Sequence, residues 1–192
     1  MATEAPRSIG RLPGVKLRPI RPEDRTWLLQ VYASTRTTEM ELVPWDQASK
    51  NAFLILQFEA QSRDYRSRFP AACFDVIEWE GRPVGRLYVD RTGGETRIID
   101  ITILPEHRGR GLGSALLKGL LQESAANGRP VIIHVEQHNP ARRLYERLGF
   151  ETVVDGGVYR LMQWSPPVGS KGYRDSGSLA REWPRPEKRS DR

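Results

Sequence analysis

The chain contains 192 residues, 38% of them apolar and 28% charged, which is the composition of an ordinary single globular domain. Its one cysteine, Cys73, excludes an internal disulfide, and no segment reaches the ~20 consecutive apolar residues that cross a bilayer. Residues 1–14 are rich in Pro, Gly and Arg and lack the apolar run of a signal peptide. We therefore expect a flexible arm at 1–14, a cytoplasmic location and no membrane partner.

The formal charge of +6 is unevenly distributed along the chain. Segment 165–192 carries seven basic and four acidic residues, hence 7 − 4 = +3, and the other residues carry the remaining 6 − 3 = +3. Ser, Pro, Gly, Arg and Lys dominate this segment, which predicts a disordered basic tail with Trp183 as a candidate docking contact. The nearly balanced remainder predicts no nucleic-acid partner, whereas a modest positive charge suits an anionic cofactor.

Between the arm and the tail, hydrophobic periodicity predicts alternating helices and strands. Leu28, Val31 and Tyr32 show the helical spacing, and glycine-containing turns such as 155–157 join neighbouring strands into hairpins. The predicted elements are, in chain order, strand 15–20, helices 23–35 and 48–61, strands 72–79, 82–90 and 96–104, helix 114–126, strand 131–135, helix 140–148, and strands 150–154 and 158–164. This order predicts an α/β (α+β) domain over 15–164, with a mixed, mostly antiparallel sheet of six to seven strands flanked by helices.

The segment 101–114 is the most informative part of the sequence. An apolar strand stops at Pro105, and a basic turn with three glycines then opens directly into an amphipathic helix. The first amides of a helix lack internal partners, and the helix dipole adds roughly half a positive charge there, which Arg108 and Arg110 reinforce. The spacing matches neither a Walker loop nor the dinucleotide fingerprint. The turn therefore predicts a pyrophosphate site, with a tight surface turn as the alternative.

Two motifs in this region resemble those of the GCN5-related N-acetyltransferase (GNAT) superfamily. The turn Arg108-Gly109-Arg110-Gly111-Leu112-Gly113 is similar to the family signature Arg/Gln-x-x-Gly-x-Gly/Ala. About 30 residues later, the run from Asn139 through Leu144-Tyr145 to Gly149-Phe150 is similar to the second family motif. The order of predicted elements from Val15 to Trp164 also fits. The resemblance implies a sheet in which the fourth strand splays from the fifth.

The resemblance implies acetyl-CoA as cosubstrate and assigns a role to each matching residue. The pantetheine arm is expected on Ile101, Thr102 and Ile103, and Asn139 is expected to contact the cofactor near this arm. The pyrophosphate is expected on Arg108, Gly109, Arg110, Gly111, Leu112, Gly113 and Ser114. Tyr145 is expected near the sulfur, where a phenol can protonate the leaving thiolate as a general acid. The alternative for Tyr145 is a packing aromatic on an amphipathic helix.

The acceptor side and the general base stay open at this level. A base could be Asp100, His134, Glu136, Glu39, Glu41, Asp90 or Glu95, or a chain of water molecules. The family shapes its acceptor pocket with the helices after the first strand, here joined by segment 39–45. Its two carboxylates and Trp45 suit a cationic amine, although a solvated loop whose apolar residues plug the core is an equal alternative. Tyr65 and Tyr88 are further candidates for the groove.

We expect an enzyme that moves acetyl directly from acetyl-CoA to a primary amine of a small molecule or peptide. A non-catalytic acyl-CoA-binding sensor or scaffold is the alternative, and partner binding through the basic tail is a third hypothesis. No metal site is expected, because His107, His134 and His138 lack partners at ligand spacing. Pairing of sheet edges could give a homodimer.

Overall fold

The computed structural model describes residues 12–167. The expected arm at 1–14 and the expected tail at 165–192, including Trp183, lie largely outside these residues. The strands are β1 (Val15–Pro19), β2 (Cys73–Trp79), β3 (Arg82–Asp90), β4 (Thr96–Ile103), β5 (Val131–Glu136), β6 (Glu151–Asp155) and β7 (Tyr159–Trp164). The helices are α1 (Arg25–Ser34), α2 (Thr37–Glu41), α3 (Gln47–Arg68), α4 (Leu112–Ala126) and α5 (Arg142–Arg147).

The strands form one seven-stranded sheet in the order β1-β2-β3-β4-β5-β7-β6. Every neighbouring pair is antiparallel except β4 and β5, which run parallel. The mixed, mostly antiparallel sheet flanked by helices is therefore confirmed. Helix α4 is the crossover between the two parallel strands, as such a connection requires.

The parallel pair separates after a short contact. Strands β4 and β5 pair only from Thr96↔Val131 to Ile98↔Ile133, whereas β4 stays paired with β3 as far as Ile103. The β3–β4 register shifts at this point, leaving Ile99 as a bulged residue, and a bulge bends its strand. The splay implied by the family resemblance is thus present, and it opens the centre of the sheet.

The two faces of the sheet are covered by different helices. The leucine stripe of α4 packs on one face in the main core, together with Tyr145 and Phe150. Helices α1 and α3 cover the other face with Tyr32, Phe58 and Tyr65. Because side chains alternate between the faces of a sheet, successive residues of β3 and β4 point into different cores.

Two helical boundaries differ from the sequence prediction. Helix α3 continues to Arg68, well beyond the expected end at Gln61, because its last turns are polar apart from the buried Tyr65. A short helix, α2, covers part of the predicted irregular segment 39–45. The expected cap at Asp46 is confirmed, since its side chain accepts from the Ser49 amide at 2.7 Å. Within residues 12–167 no helix is long and apolar enough to cross a membrane.

Candidate active site

A cleft of about 1050 Å³ passes through the sheet where β4 and β5 diverge. Its "turn end", at the start of α4, is lined by Gly109, Gly111, Leu112, Gly113 and Ser114. Its "α3 end" is lined by residues 34–38, beside Gln61 and Tyr65 of α3. The cleft therefore gives access to the exposed edge of β4 from both faces of the sheet.

The glycine turn has the form of an anion cradle. Gly109 and Gly111 have φ of +73° and +83°, and no atom lies within 4 Å of where a Cβ would stand on either. The first helical bond runs from the Ala115 amide to the Gly111 carbonyl at 2.9 Å, so the amides of Leu112, Gly113 and Ser114 have no intrahelical partner. The turn therefore offers open space, outward amides and a helix N-terminus, which are the features that suit the pyrophosphate of acetyl-CoA.

The two arginines of the turn have different surroundings. Arg108 lines the cleft and donates from Nε to the carbonyl oxygen of Ile103 at 2.8 Å. The guanidinium of Arg110 lies 5.5 Å from the ring centre of Trp79, and Arg110 is absent from the cleft wall. The structure therefore brings Arg108 to the expected cofactor site and leaves Arg110 stacked outside it.

The edge of β4 that faces the gap suits an extended amide-containing arm. Ile101, Thr102 and Ile103 line the cleft, and β5 no longer pairs with β4 at this point. Asn139 lines it from the opposite side, and its Oδ1 accepts from the Ala141 amide at 2.9 Å. That bond leaves the side-chain Nδ2 of Asn139 as a donor. Backbone groups of β4 and this amide match the polar atoms of a pantetheine arm.

Tyr145 reaches the same cleft from α5. Its side chain is 4% exposed, its ring packs against Phe150 at 5.7 Å, and the residue lines the cleft wall. The Tyr145 hydroxyl makes no hydrogen bond to another residue of 12–167. Burial, and then the negative charge of Asp100, raises the pKa of Tyr145 above that of an ordinary phenol. The hydroxyl is therefore protonated at neutral pH and can donate.

The candidate bases divide into two groups. Asp100, His134 and Glu136 line the cleft, whereas Glu39 and Glu41 do not. The other two candidates, Asp90 and Glu95, also do not line the cleft. The Asp90 side chain accepts from the Thr92 amide in a turn. Glu95 pairs with Arg97, near the end of β4 that is still paired with β5.

His134 and Asp100 have different surroundings. Burial, and then the positive charge of Arg97, lowers the pKa of His134 to about 4, so its ring is neutral at pH 7. Asp100 accepts hydrogen bonds from Arg86 and from the Thr102 hydroxyl. Both carboxylate oxygens of Asp100 thus already accept hydrogen bonds.

The expected acceptor segment 39–45 lies outside the cleft. Leu42 is 82% exposed, and Trp45 packs edge-on against Phe53 at 5.5 Å. No residue of this segment lines the cleft wall, and the preceding residues 34–38 line the cleft instead. Tyr65 lines the cleft as expected, with Tyr88 packed against its edge at 6.2 Å.

Sequence reasoning missed a charged group at the α3 end. Arg36 donates to Glu39 at 2.9 Å and lies 3.8 Å from Glu136, whose carboxylate also accepts from the Tyr159 hydroxyl at 3.3 Å. These contacts join the start of α2 to β5 and β7. Arg86, another cleft residue, is 2% exposed; a charged residue inside an apolar strand was the available signal.

The chain is similar to known proteins in sequence. The model of the Acetyltransferase (GNAT) family matches residues 29–150. An uncharacterized N-acetyltransferase of Methanocaldococcus jannaschii is 38% identical over 81 residues, or 41% of this chain and 52% of that protein. A Bacillus subtilis protein, named provisionally as the alanine N-acetyltransferase of ribosomal protein bS18, is 27% identical over 158 residues, or 77% of this chain and 93% of that protein. The match therefore spans about half the length of the first relative.

The chain is also similar to solved structures. The PaiA N-acetyltransferase from Thermoplasma acidophilum in complex with coenzyme A has a TM-score of 0.59 at 14% identity, covering 79% of this chain and 98% of that chain. At that identity the likeness establishes the fold alone. Among residues 12–167, no three His, Cys, Asp or Glu side chains cluster so as to hold a metal ion.

Proposed function

The chain belongs to the GNAT acetyltransferase family, and on this premise we propose that it transfers acetyl from acetyl-CoA to a primary amine. The proposed catalytic unit is 15–164, which runs from the start of β1 to the end of β7. The observation that carries the proposal is the single cleft that joins the glycine turn, the exposed edge of β4 and the hydroxyl-bearing Tyr145.

Each part of the cleft has a role in binding. We assign the pyrophosphate to the turn end, where the amides of Leu112, Gly113 and Ser114 are unpaired within the helix. The edge of β4 and the Asn139 amide hold the arm, so that its thioester reaches the middle of the cleft. The α3 end then remains open for the amine, on the other face of the sheet. This separation lets two substrates meet without displacing each other.

Acetyl-CoA supplies an activated thioester. A neutral amine held at the α3 end attacks the thioester carbonyl, whose developing charge is stabilised by a backbone amide of β4. The carbon–nitrogen bond forms and the carbon–sulfur bond breaks, and the Tyr145 hydroxyl gives its proton to the departing sulfur. The acetylated nitrogen loses its extra proton to water, and solvent returns a proton to the phenolate. The raised pKa of Tyr145 supports this role, because it keeps the phenol loaded with a proton between turnovers.

The acceptor is proposed as the amine of a small molecule or a peptide. The relative from Bacillus subtilis, matched over 93% of its length, is named for an alanine amine of a ribosomal protein. This name supports a free peptide N-terminus as one class to test. The carboxylate of Glu136, which lines the cleft wall, supports a cationic acceptor.

The alternative is an acyl-CoA-binding sensor that does no chemistry. The test is calorimetric titration with acetyl-CoA, CoA and ATP, followed by thiol release from acetyl-CoA with four acceptor classes: polyamines, amino acids, aminoglycosides and peptides with a free N-terminus. Binding of acetyl-CoA with thiol release on one class is the expected result. Binding without release on every class favours the sensor, and no binding contradicts the site itself.

A further inference from the structure

A buried ion pair lies at the α3 end of the cleft. Arg86 of β3 donates to Asp100 of β4 from Nε at 3.2 Å and from Nη2 at 2.8 Å. Nη2 also donates to Oε1 of Gln61 on α3 at 3.0 Å. The guanidinium carbon lies 5.3 Å from the ring centre of Tyr88 and 6.0 Å from that of Tyr32 on α1. Contacts from α1, α3 and β4 thus fix the guanidinium.

Asp100 stands where β4 leaves β5. The last residue of β4 that pairs with β5 is Ile98, and the bulged Ile99 separates it from Asp100. Ile101, the first residue of the proposed pantetheine stretch, follows directly. Asp100 and Tyr145 both line the cleft, and the bond from Arg86 to Gln61 ties the ion pair to the α3 end.

The carboxylate has one acceptor position left. Oδ1 takes the Arg86 Nε bond and a bond from the Thr102 hydroxyl at 2.8 Å, whereas Oδ2 takes only the Nη2 bond. A carboxylate offers about four lone-pair positions, so one remains on Oδ2. The Asp100 side chain is 11% exposed and that of Arg86 only 2%. What the pair exposes thus belongs mainly to the Asp100 side chain and hardly at all to the guanidinium.

We propose that Arg86 is a positioning residue for acetyl transfer, holding the Asp100 carboxylate so that Oδ2 receives the ammonium group of the acceptor beside the thioester. This inference rests on the proposed transferase function. It gives the acceptor nitrogen a defined binding position on β4, the strand that also holds the pantetheine arm. Asp100 binds the ammonium, and the proton leaves to water in the cleft.

The charge of Arg86 explains why the proposed ammonium site is an ion pair and not a lone carboxylate. A bare carboxylate stabilises an adjacent ammonium and raises its pKa, which would keep the amine protonated and unreactive. The neighbouring guanidinium offsets that field while leaving the hydrogen bond in place. The acceptor is therefore oriented and can still lose its proton before attack.

The test compares two small nucleophiles that differ in charge. Propylamine is an ammonium ion at neutral pH, whereas O-methylhydroxylamine is uncharged. We expect Asp100→Asn to lower kcat/KM for propylamine by about 10- to 100-fold, through KM, with the acetyl-CoA dissociation constant unchanged. The rate with O-methylhydroxylamine should change little. Asp64→Asn is the matched control, since Asp64 lines the same cleft but pairs with Arg68.

Arg86 variants test the positioning role separately. In Arg86→Gln, kcat for propylamine should begin to fall at a higher pH on the acid side of its pH profile, because the lone carboxylate raises the pKa of the bound ammonium. Arg86→Lys should restore part of the wild-type pH profile. Tyr32 also borders this region, and so do four groups with shifted pKa values: Tyr65, Tyr88, Tyr145 and His134. Burial raises the pKa of Tyr65, of Tyr145 and, to about 12, of Tyr88, and the pKa of His134 is lowered to about 4. None of these four groups accounts for a limb between pH 6 and 9.

The outcomes separate this inference from the proposed function. Equal losses with both nucleophiles would overturn it, because Asp100 would then only support the strand. Wild-type rates in Asp100→Asn would overturn it as well, while leaving the transferase function intact. If Arg86→Gln does not fold, the Asp100→Asn comparison still decides. Acetyl-CoA binding without transfer to either nucleophile or to any of the four acceptor classes would contradict both proposals.

Discussion

The Nε of Arg108 donates to the carbonyl oxygen of Ile103 at 2.8 Å, tying the glycine turn to the end of β4. The two regions proposed to hold the pyrophosphate and the pantetheine arm are therefore joined by one side chain. Its Nη1 and Nη2 groups stay available for an anion in the cleft. Arg108 thus acts on the site twice, through its charge and through the shape of the turn.

Arg108→Met should weaken acetyl-CoA binding by about 10-fold, because it removes both this brace and a charge beside the pyrophosphate. Arg110→Met is the matched control, since its guanidinium stacks on Trp79 away from the cleft. It should bind acetyl-CoA within about threefold of wild type. Calorimetry on both variants checks the contrast, and equal losses would contradict the different placements of the two arginines.

Gly111→Asp should abolish measurable acetyl-CoA binding, a loss of about 100-fold or more, because it adds a negative charge at the pyrophosphate. Gly111→Ala separates strain from charge, since Gly111 has φ of +83° and any side chain there is strained. Gly157→Asp is the remote control, with φ of +79° and open space around it in the β6–β7 turn. Normal binding by Gly111→Asp would rule out the proposed pyrophosphate site.

Gly85→Ala should destabilise the fold by about 2 kcal/mol or more, because its Cβ would stand 2.2 Å from the Thr102 carbonyl oxygen. That contact is with backbone of β4, so the strand that lines the cleft must move. Gly113→Ala is the comparison, since its Cβ meets only Leu144 and Ile103 side chains at 3.5 and 3.6 Å. Thermal unfolding should leave Gly113→Ala within about 1 kcal/mol of wild type.

Local patterns predicted the parts of the molecule that depend on neighbouring residues. Periodicity gave the order of strands and helices, and the spacing of glycines gave the turn at 109–113. The splay came from the family resemblance, because the separation of β4 from β5 after Ile98 leaves no mark in hydrophobicity. It becomes visible only in the pairing register.

The α3 end could not be predicted in the same way. The pairing of Arg36 with Glu136 joins residues far apart in sequence, and so does the bond between Arg86 and Gln61. Such contacts depend on how α1 and α3 cross the sheet, which periodicity does not define. Segment 39–45 had a suitable composition for an acceptor wall, but composition alone did not bring it to the cleft.

His134 should make the fold sensitive to mild acid. Its pKa is lowered to about 4 by burial, with an added contribution from Arg97, so the unfolded chain binds a proton near pH 6.5 that the folded chain does not. Stability should therefore fall as the pH drops from about 6.5 to about 4. Because the ring is partly exposed, we expect a loss of about 1 kcal/mol between pH 7 and 5.

His134→Gln tests this dependence, since glutamine stays neutral throughout. The difference in unfolding free energy between pH 7 and 5 should shrink by about 1 kcal/mol in the variant. The lowered pKa values of Asp24 and Asp155 affect stability only below their ordinary value of 3.8, outside this window. An identical pH dependence in variant and wild type would show that the His134 ring protonates as freely in the fold as in the unfolded chain.

Tyr145→Phe should keep acetyl-CoA binding and lower kcat by about 100-fold if the hydroxyl protonates the departing sulfur. The ring would keep its contact with Phe150, and no hydrogen bond to a described residue is lost. The raised pKa of Tyr145 also predicts that the wild-type rate stays level past pH 10, since the phenol ionises only above its ordinary range. An unchanged kcat in the variant, with normal thermal stability, would assign Tyr145 to packing, and the thiolate would then leave without a protein acid.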